Sequence, residues 1–166
     1  VFIRDRLMGL ASVHLFLIHW PVPGKRRFSV MALETLLEEG RVRAIGVSNY
    51  VVRHLEELLG HARYLPAVNQ IELSPYNYEQ RRPTLDLCAA QGIAIEAYSP
   101  LTKGRKLGDP RLASIGAGHG VSPAQVLLRR GLQRALIHIC RCRRGVAGNS
   151  RWGPEHKKKN NKEGIE

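Results

Sequence analysis

Four short apolar runs, each closed by polar residues, constrain the fold of this chain more than any other feature. In chain order the runs are Val13–Ile18, Ala44–Val47, Ala67–Asn69 and Ile93–Ala97. A helix-like stretch follows each of the first three runs at once, and a longer loop follows the fourth. A buried strand, a polar tip and a helix, repeated along a chain, predict a β/α barrel. Such barrels carry their chemistry at the carboxyl ends of the strands, so we expect a site at the polar tips.

Apolar spacing and turn residues predict the individual elements. We expect strands over residues 13–18, 42–47, 67–71, 93–97 and 135–139. We expect helices over residues 28–39, 50–59, 80–91 and 122–130. In the first helix Leu33 and Leu36 belong to the apolar side, and Glu34 is assigned to the polar side opposite. Gly40 and Gly92 follow the first and third helices, where a left-handed C-cap favours glycine.

Length and charge divide the chain into two predicted parts. Its 166 residues are fewer than the roughly 250 of a complete eight-unit barrel, and the first residue is not Met. We therefore expect an α/β fold, a partial (β/α)8 barrel of about five units over residues 1–140, and a fragment of a longer protein. Residues 129–166 carry 11 Lys and Arg against 3 Asp and Glu, which is +8 of the chain's net +12. Residues 141–166 have no hydrophobic period and are predicted to form a basic, disordered tail.

Cysteine usage argues against a disulfide-stabilised scaffold and a metal site, and the short apolar runs argue against a membrane-spanning protein. The three cysteines, Cys88, Cys140 and Cys142, form no disulfide framework, which indicates a reducing compartment, the cytoplasm. Cys140 and Cys142 with His138 lack a second ligand pair, so no metal site is expected. No apolar run is long enough to span a membrane. The basic tail leaves nucleic-acid binding open as an alternative, although no aromatic residues interleave with Lys157–Lys159.

The polar tips and the residues around them resemble the aldo-keto reductase family over about residues 7–139. Four stretches carry the resemblance: Leu15–Pro21 (LFLIHWP), Gly40–Asn49 (GRVRAIGVSN), Asn69–Glu72 (NQIE) and Ala97–Leu101 (AYSPL). Members of this family are (β/α)8 barrels that reduce aldehydes and ketones with NADPH. The resemblance therefore implies an NADPH-dependent carbonyl reductase with a small-molecule substrate, of which this chain holds about the fourth to the eighth strand.

His19, at the first strand tip, resembles the family residue that donates a hydrogen bond to the substrate carbonyl oxygen. Negative charge builds on that oxygen as hydride reaches the carbonyl carbon, and a positioned donor stabilises the transition state. An imidazole suits this role because one ring nitrogen donates while the other is held by a neighbour. The alternative is a histidine at a strand end that bonds only water or a backbone carbonyl.

Residues at the later strand tips resemble the family's cofactor contacts. They are Ser48, Asn49, Gln70, Tyr98, Ser99 and Leu101. By this resemblance the first three hold the nicotinamide carboxamide, whose donors and acceptors hydroxyl and amide side chains can match. The alternative for Ser48 or Asn49 is to cap the helix that begins near Tyr50.

Tyr98 resembles the ring that stacks on the nicotinamide, and its alternative is a core aromatic at a strand end. Ser99 and Leu101 resemble the start of the loop that runs along the pyrophosphate. Residues 100–110, rich in glycine and basic side chains, are predicted to form this loop, and their positive charge suits a diphosphate. The alternative is a solvated loop without a ligand.

Two departures from the family pattern bear on activity. The family's proton donor is a Tyr assisted by an Asp and a Lys, all on earlier strands. The 18 residues before His19 contain no Tyr or Lys, and Asp5 is their only acid. The family's 2′-phosphate contacts follow the eighth strand, where this chain has Cys140–Arg144. We therefore expect this chain to be inactive, with weak preference for NADPH over NADH. The alternative is a non-catalytic module that binds a nucleotide or another protein.

Overall fold

The computed structural model describes residues 13–134 as an α/β unit. Its strands are β1 (Val13–Ile18), β2 (Val42–Ser48), β3 (Val68–Glu72) and β4 (Ala94–Tyr98). Its helices are α1 (Arg26–Glu38), α2 (Val52–Leu59), α3 (Tyr78–Ala90), α4 (Pro110–Gly118) and α5 (Pro123–Arg134). The four strands are confirmed to within one residue at each end. The predicted strand over 135–139, the predicted tail and the cysteines Cys140 and Cys142 lie outside the described residues.

The four strands form one parallel sheet in chain order, β1-β2-β3-β4. Ser48 of β2 is paired with Gln70 of β3, and Glu72 of β3 with Tyr98 of β4. Parallel neighbours need crossover connections, which α1, α2 and α3 supply, so the predicted β/α repeat is confirmed. Because the strands are parallel, their carboxyl ends lie at one edge of the sheet. That edge carries the residues that the sequence singles out.

Helices α1, α2 and α3 cover one face of the sheet, which we call the helix-covered face. Val47 of β2 packs there with Val30 of α1, Leu55 of α2 and Cys88 of α3, and all four are buried. Ile71 of β3 extends the apolar layer towards α3. Removal of apolar surface from water is the main force that holds these helices on the sheet.

The residues that alternate with this apolar set point to the other face, which we call the inner face. They are Leu15, Leu17, Ala44, Gly46, Ser48, Val68, Gln70, Glu72, Ala94, Glu96 and Tyr98. Within residues 13–134 no helix packs on this face. Gly46 has no room for a side chain, because a Cβ atom would lie 2.8 Å from the Val68 carbonyl oxygen and would overlap Leu17. In a closed barrel such a face points towards the axis.

The assignment of Glu34 to the polar, solvent-facing side of α1 is wrong. Its side chain is 1% exposed instead of facing solvent. The carboxylate accepts hydrogen bonds from the backbone N–H groups of Arg63 (2.6 Å) and Tyr64 (3.2 Å), which lie between α2 and β3. Helical periodicity sorts residues by their neighbours on the helix and contains no information about partners 29 residues away. Glu34 therefore ties the α2–β3 connection to α1.

The C-terminal ends of α1 and α3 and the start of α5 agree with the predictions, whereas α5 runs to Arg134, four residues beyond its predicted end. Gly40 and Gly92 follow α1 and α3 with φ of +69° and +68°, as a left-handed cap requires. Ser122 precedes α5, and its Oγ accepts the Gln125 N–H at 3.4 Å. None of the described helices combines the length and the apolar character needed to cross a membrane.

Helix α4 is an element that the sequence analysis missed. The Asp109 carboxylate accepts the Arg111 N–H at 2.9 Å, and Pro110 occupies the first helical turn. An acceptor residue followed by proline is a helix-start signal. Gly116 and Gly118 lower the helix propensity of the residues after this signal, so the sequence did not predict the helix.

Candidate functional site

The amide side chain of Asn49 joins three of the four strand tips. Its Nδ2 donates to the backbone carbonyl of His19 after β1, at 3.2 Å, and to Oγ of Ser48 at the end of β2, at 3.0 Å. Its Oδ1 accepts the hydroxyl of Tyr98 at the end of β4, at 2.8 Å. Four residues that the sequence predicts as site residues therefore belong to one hydrogen-bonded group, which we call the Asn49 cluster.

The backbone carbonyl of Gln70 ties the remaining strand, β3, to the same cluster. It accepts the Asn49 N–H at 2.8 Å and the Ser48 hydroxyl at 2.9 Å. Asn49 reaches this geometry with φ of +63°, in the left-handed region that asparagine tolerates better than most residues. An asparagine at this position thus supplies both the unusual backbone conformation and the amide that the cluster needs.

The alternative role of Ser48 and Asn49 as helix caps is wrong. Helix α2 begins at Val52, two residues later than predicted, and no side-chain oxygen caps it. The backbone N–H of Val51 instead donates to Nδ1 of His54 at 3.4 Å. Val51 has an extended backbone, with φ of −99° and ψ of 175°, so the helix starts only at Val52.

Gln70 and Tyr98 both lie on the inner face, and each is partly buried. Within residues 13–134 the side-chain amide of Gln70 makes no hydrogen bond, so its donors and acceptor are available on that face. Burial raises the pKa of the Tyr98 phenol above its ordinary value, and the charge of Glu72 raises it further. The Tyr98 hydroxyl therefore stays protonated at neutral pH and donates a hydrogen bond to Oδ1 of Asn49.

The His19 side chain is exposed at the tip of β1. Its backbone carbonyl belongs to the Asn49 cluster, whereas its imidazole makes no hydrogen bond within the described residues. The backbone of His19 is thereby fixed next to Asn49 while the ring is left to meet a ligand or solvent.

Ser99 and Leu101 begin the predicted loop directly after β4. Ser99 has φ of +55° and its carbonyl accepts the Thr102 N–H at 2.9 Å. The carbonyl of Leu101 accepts the Gly104 N–H at 2.8 Å, which closes a short 3-10 turn over Thr102–Gly104. The loop thus leaves the same edge of the sheet as the Asn49 cluster.

A well-formed pocket in the described part of the chain lies away from the Asn49 cluster. It has a volume of about 160 Å³ and lies between α3, α5 and the ends of β3 and β4. Its lining is Leu73, Ser74, Pro75, Tyr78, Glu79, Ala97, Pro100, Leu127, Arg130 and Gly131. No predicted site residue lines it, because the Asn49 cluster lies at the inner face. Among residues 13–134 no group of three or more His, Cys, Asp or Glu side chains could hold a metal ion.

Comparison with known protein families shows to which family this chain belongs. The family model described as "Aldo/keto reductase family" matches residues 4–139. The chain belongs to the aldo/keto reductase family. The resemblance inferred over residues 7–139 is therefore confirmed, and so is the partial barrel.

Curated and solved relatives agree with this family. The uncharacterized oxidoreductase YtbE and the glyoxal reductase of Bacillus subtilis are 45% and 46% identical over 132 residues, which is 80% of this chain. The aldo/keto reductase from Brucella melitensis has a TM-score of 0.70 at 38% identity, over 81% of this chain and 52% of its own. A single-residue mutant of Gox0644, solved in complex with NADPH, has a TM-score of 0.72 at 39% identity, over 80% and 49%.

The chain spans about half the length of the curated relatives it matches, 46% of YtbE and 47% of the glyoxal reductase. The family and the barrel architecture of the described residues are thereby known. The roles of the individual residues in the Asn49 cluster, and the domain boundary at residue 140, stay predictions.

Proposed function

We propose that this chain supplies the nicotinamide-binding half of an NADP(H)-dependent carbonyl reductase site. The observation that carries the proposal is the Asn49 cluster, which links the strand tips through one amide group. A reductase must hold a nicotinamide ring and a carbonyl group side by side. A group of fixed polar side chains at the carboxyl ends of barrel strands is where such a site is built.

The residues at the strand tips fit the chemistry of a nicotinamide ring. The ring's carboxamide has one acceptor and two donor hydrogens, and the unpaired amide of Gln70 can meet both kinds. Ser48 is 1% exposed, and its Oγ contributes by holding the Asn49 amide in place. The ring of Tyr98, tethered at its hydroxyl by Asn49, offers a flat apolar surface on the same face. Bound NADPH would supply the hydride for reduction.

His19 performs the polar part of the reaction in this proposal. Its imidazole donates a hydrogen bond to the oxygen of an aldehyde or ketone and stabilises the negative charge that develops there. Removal of one such donor typically lowers the rate about 10²–10³-fold. The backbone link from His19 to Asn49, at 3.2 Å, keeps this donor next to the ring-binding residues.

We also propose that the 166-residue chain by itself turns over slowly or not at all. No Tyr or Lys precedes His19 in it, so the family's proton donor has no counterpart there. A positioned general acid typically contributes about 10²–10⁴-fold. A non-catalytic nucleotide-binding module uses the same Asn49 cluster, and turnover of a generic aromatic aldehyde separates the two functions. A cytoplasmic location stays a prediction.

Nicotinamide fluorescence during titration with NADPH tests the binding proposal. We expect a dissociation constant no tighter than the millimolar range, roughly −4 kcal/mol, and little discrimination against NADH. Gln70→Ala should abolish the signal, whereas Gln80→Ala, on the exposed side of α3, should leave it unchanged. Equal binding by both variants would show that the inner face does not hold the ring. Micromolar affinity with clear preference for NADPH would show that residues after Ile139 build a phosphate site.

A further inference from the structure

We propose that Tyr76 and Asp109 form a positioning pair that holds the basic segment 99–109 in the conformation that accepts a diphosphate. This inference rests on the proposed function, since the diphosphate is that of a nicotinamide dinucleotide. The pair is a single hydrogen bond, in which the Tyr76 hydroxyl donates to Oδ2 of Asp109 at 2.8 Å. It joins the β3–α3 connection to the far end of the segment that leaves β4, 33 residues away along the chain.

Asp109 is held by several donors at once. Its Oδ1 accepts the Arg111 N–H at 2.9 Å, and the Arg111 guanidinium contacts both carboxylate oxygens at 3.2 and 2.9 Å. These bonds, together with the one from Tyr76, hold the pKa of the Asp109 carboxyl below its ordinary value. Asp109 is therefore a charged, rigid acceptor at the start of α4, and a hydroxyl that bonds to it is fixed in turn.

The Tyr76 ring touches the segment at a second point. Nζ of Lys106 lies 5.4 Å from the ring centroid, a distance at which a cation is attracted to the ring face. The hydroxyl of Tyr76 thus contacts the segment at Asp109, and the ring of Tyr76 contacts it at Lys106. Loss of the hydroxyl bond removes the contact at Asp109 and leaves only the ring contact with Lys106 between Tyr76 and the segment.

The segment needs such restraint because of its backbone and its charge. Ser99, Thr102 and Lys103 have φ of +55°, +51° and +55°, in the left-handed region that side chains other than glycine and asparagine disfavour. Such conformations persist only where the surroundings hold them. Lys103, Arg105 and Lys106 are exposed and repel one another, and a diphosphate would relieve that repulsion.

Limited trypsin digestion of the full chain tests whether the pair holds the segment. Trypsin cleaves after Lys103, Arg105 and Lys106, and mass spectrometry reports each cut. We expect Tyr76→Phe to speed these cuts about tenfold relative to the cut after Arg53, because cleavage follows local opening and one bond to a charged group is lost. Tyr64→Phe is the matched control, since the Tyr64 ring is exposed, and it should change nothing. Unchanged cutting in Tyr76→Phe overturns the proposal.

Ligand-detected NMR tests whether the pair acts on the diphosphate. We expect Tyr76→Phe to weaken NADPH binding about tenfold and to leave reduced nicotinamide mononucleotide, which has no diphosphate, unchanged. Asp109→Asn keeps an acceptor for Tyr76 and should retain most of the NADPH affinity. Equal weakening of both nucleotides would reveal a merely structural role and overturn the inference. If the unaltered chain binds neither nucleotide, the proposed function fails together with the diphosphate role, while the digestion still decides whether the pair holds the segment.

Discussion

On the helix-covered face of the sheet, Val47 and Ile71 are buried among aliphatic side chains. On the inner face the Ser48 hydroxyl instead donates a hydrogen bond to the backbone carbonyl of Gln70. The residues of the two faces alternate along the same strands and share one backbone geometry. The difference between apolar packing on one face and hydrogen bonding on the other therefore comes from the side chains. Apolar contacts are non-directional and sum over area, while hydrogen bonds depend on a few atoms in fixed places. The helix-covered face should therefore govern stability, and the inner face should govern binding.

The largest effect is expected from truncation on the helix-covered face. Leu55 of α2 is 0% exposed, and Leu55→Ala would leave a cavity among Val30, Val47 and Cys88. We expect the free energy of unfolding in urea to fall by about 2–5 kcal/mol. Leu65→Ala is the control, because Leu65 is 53% exposed and its loss should change little. Equal losses at both positions would remove the basis for calling this face the core.

Gly46 is an exception to this division between the faces, because it lies on the inner face and yet should affect stability. Gly46→Ala places a Cβ 2.8 Å from the Val68 carbonyl oxygen, which must then move. We expect thermal unfolding to report a loss of about 1–3 kcal/mol. Gly118→Ala in α4, where a Cβ meets nothing within 4 Å, is the matched substitution and should not destabilise the chain. A harmless Gly46→Ala would mean that β2 and β3 can separate at this point.

Tyr98→Phe tests the inner face alone, since it removes one hydroxyl from the Asn49 cluster and no apolar volume. We expect a loss of about 0.5–1.5 kcal/mol in unfolding free energy, from one hydrogen bond, and a shift of the Asn49 side-chain amide resonance in NMR spectra. Tyr64→Phe makes the same chemical change on an exposed ring and should do neither. An unmoved Asn49 amide would show that the 2.8 Å contact is not made in solution.

The smallest effect is expected at Asp109, which belongs to neither face. Its folded pKa lies below the unfolded value, so its contribution to stability is present above about pH 4 and is lost as the pH falls towards the folded pKa. The stability difference between the unaltered chain and Asp109→Asn should therefore shrink below about pH 4. Asp86→Asn, on the exposed side of α3, controls for the loss of one negative charge. A difference that grows in acid would contradict this assignment.

The strands were predictable because each is a short apolar run, and a buried strand needs little more than that. The turns at Gly40 and Gly92 were predictable because a left-handed cap favours glycine. Helix α4 was missed since its start signal, Asp109-Pro110, stands before a glycine-rich stretch. Local pattern thus accounts for most of the fold within residues 13–134.

The candidate site was predicted as a set of residues but not as a structure. Strand tips that end at one edge placed Ser48, Gln70 and Tyr98 together, as parallel pairing requires. That the Asn49 amide would join them, instead of capping α2, depends on its left-handed backbone, which no spacing in the sequence reveals. The buried Glu34 was assigned to the wrong side for a similar reason, since its partners are distant in sequence.

The Asn49 cluster also has a consequence for the entropy of ligand binding. Its hydrogen bonds already limit the rotamers of Ser48, Asn49 and Tyr98 before any ligand arrives. Ordering a mobile side chain on binding typically costs about 0.5–1.5 kcal/mol, and this cost is reduced for side chains that are ordered in advance. Gln70, which has no such restraint within the described residues, is the one of the four that a ligand must still order. Affinity at this edge of the sheet should therefore respond more to the freedom of Gln70 than to that of its neighbours.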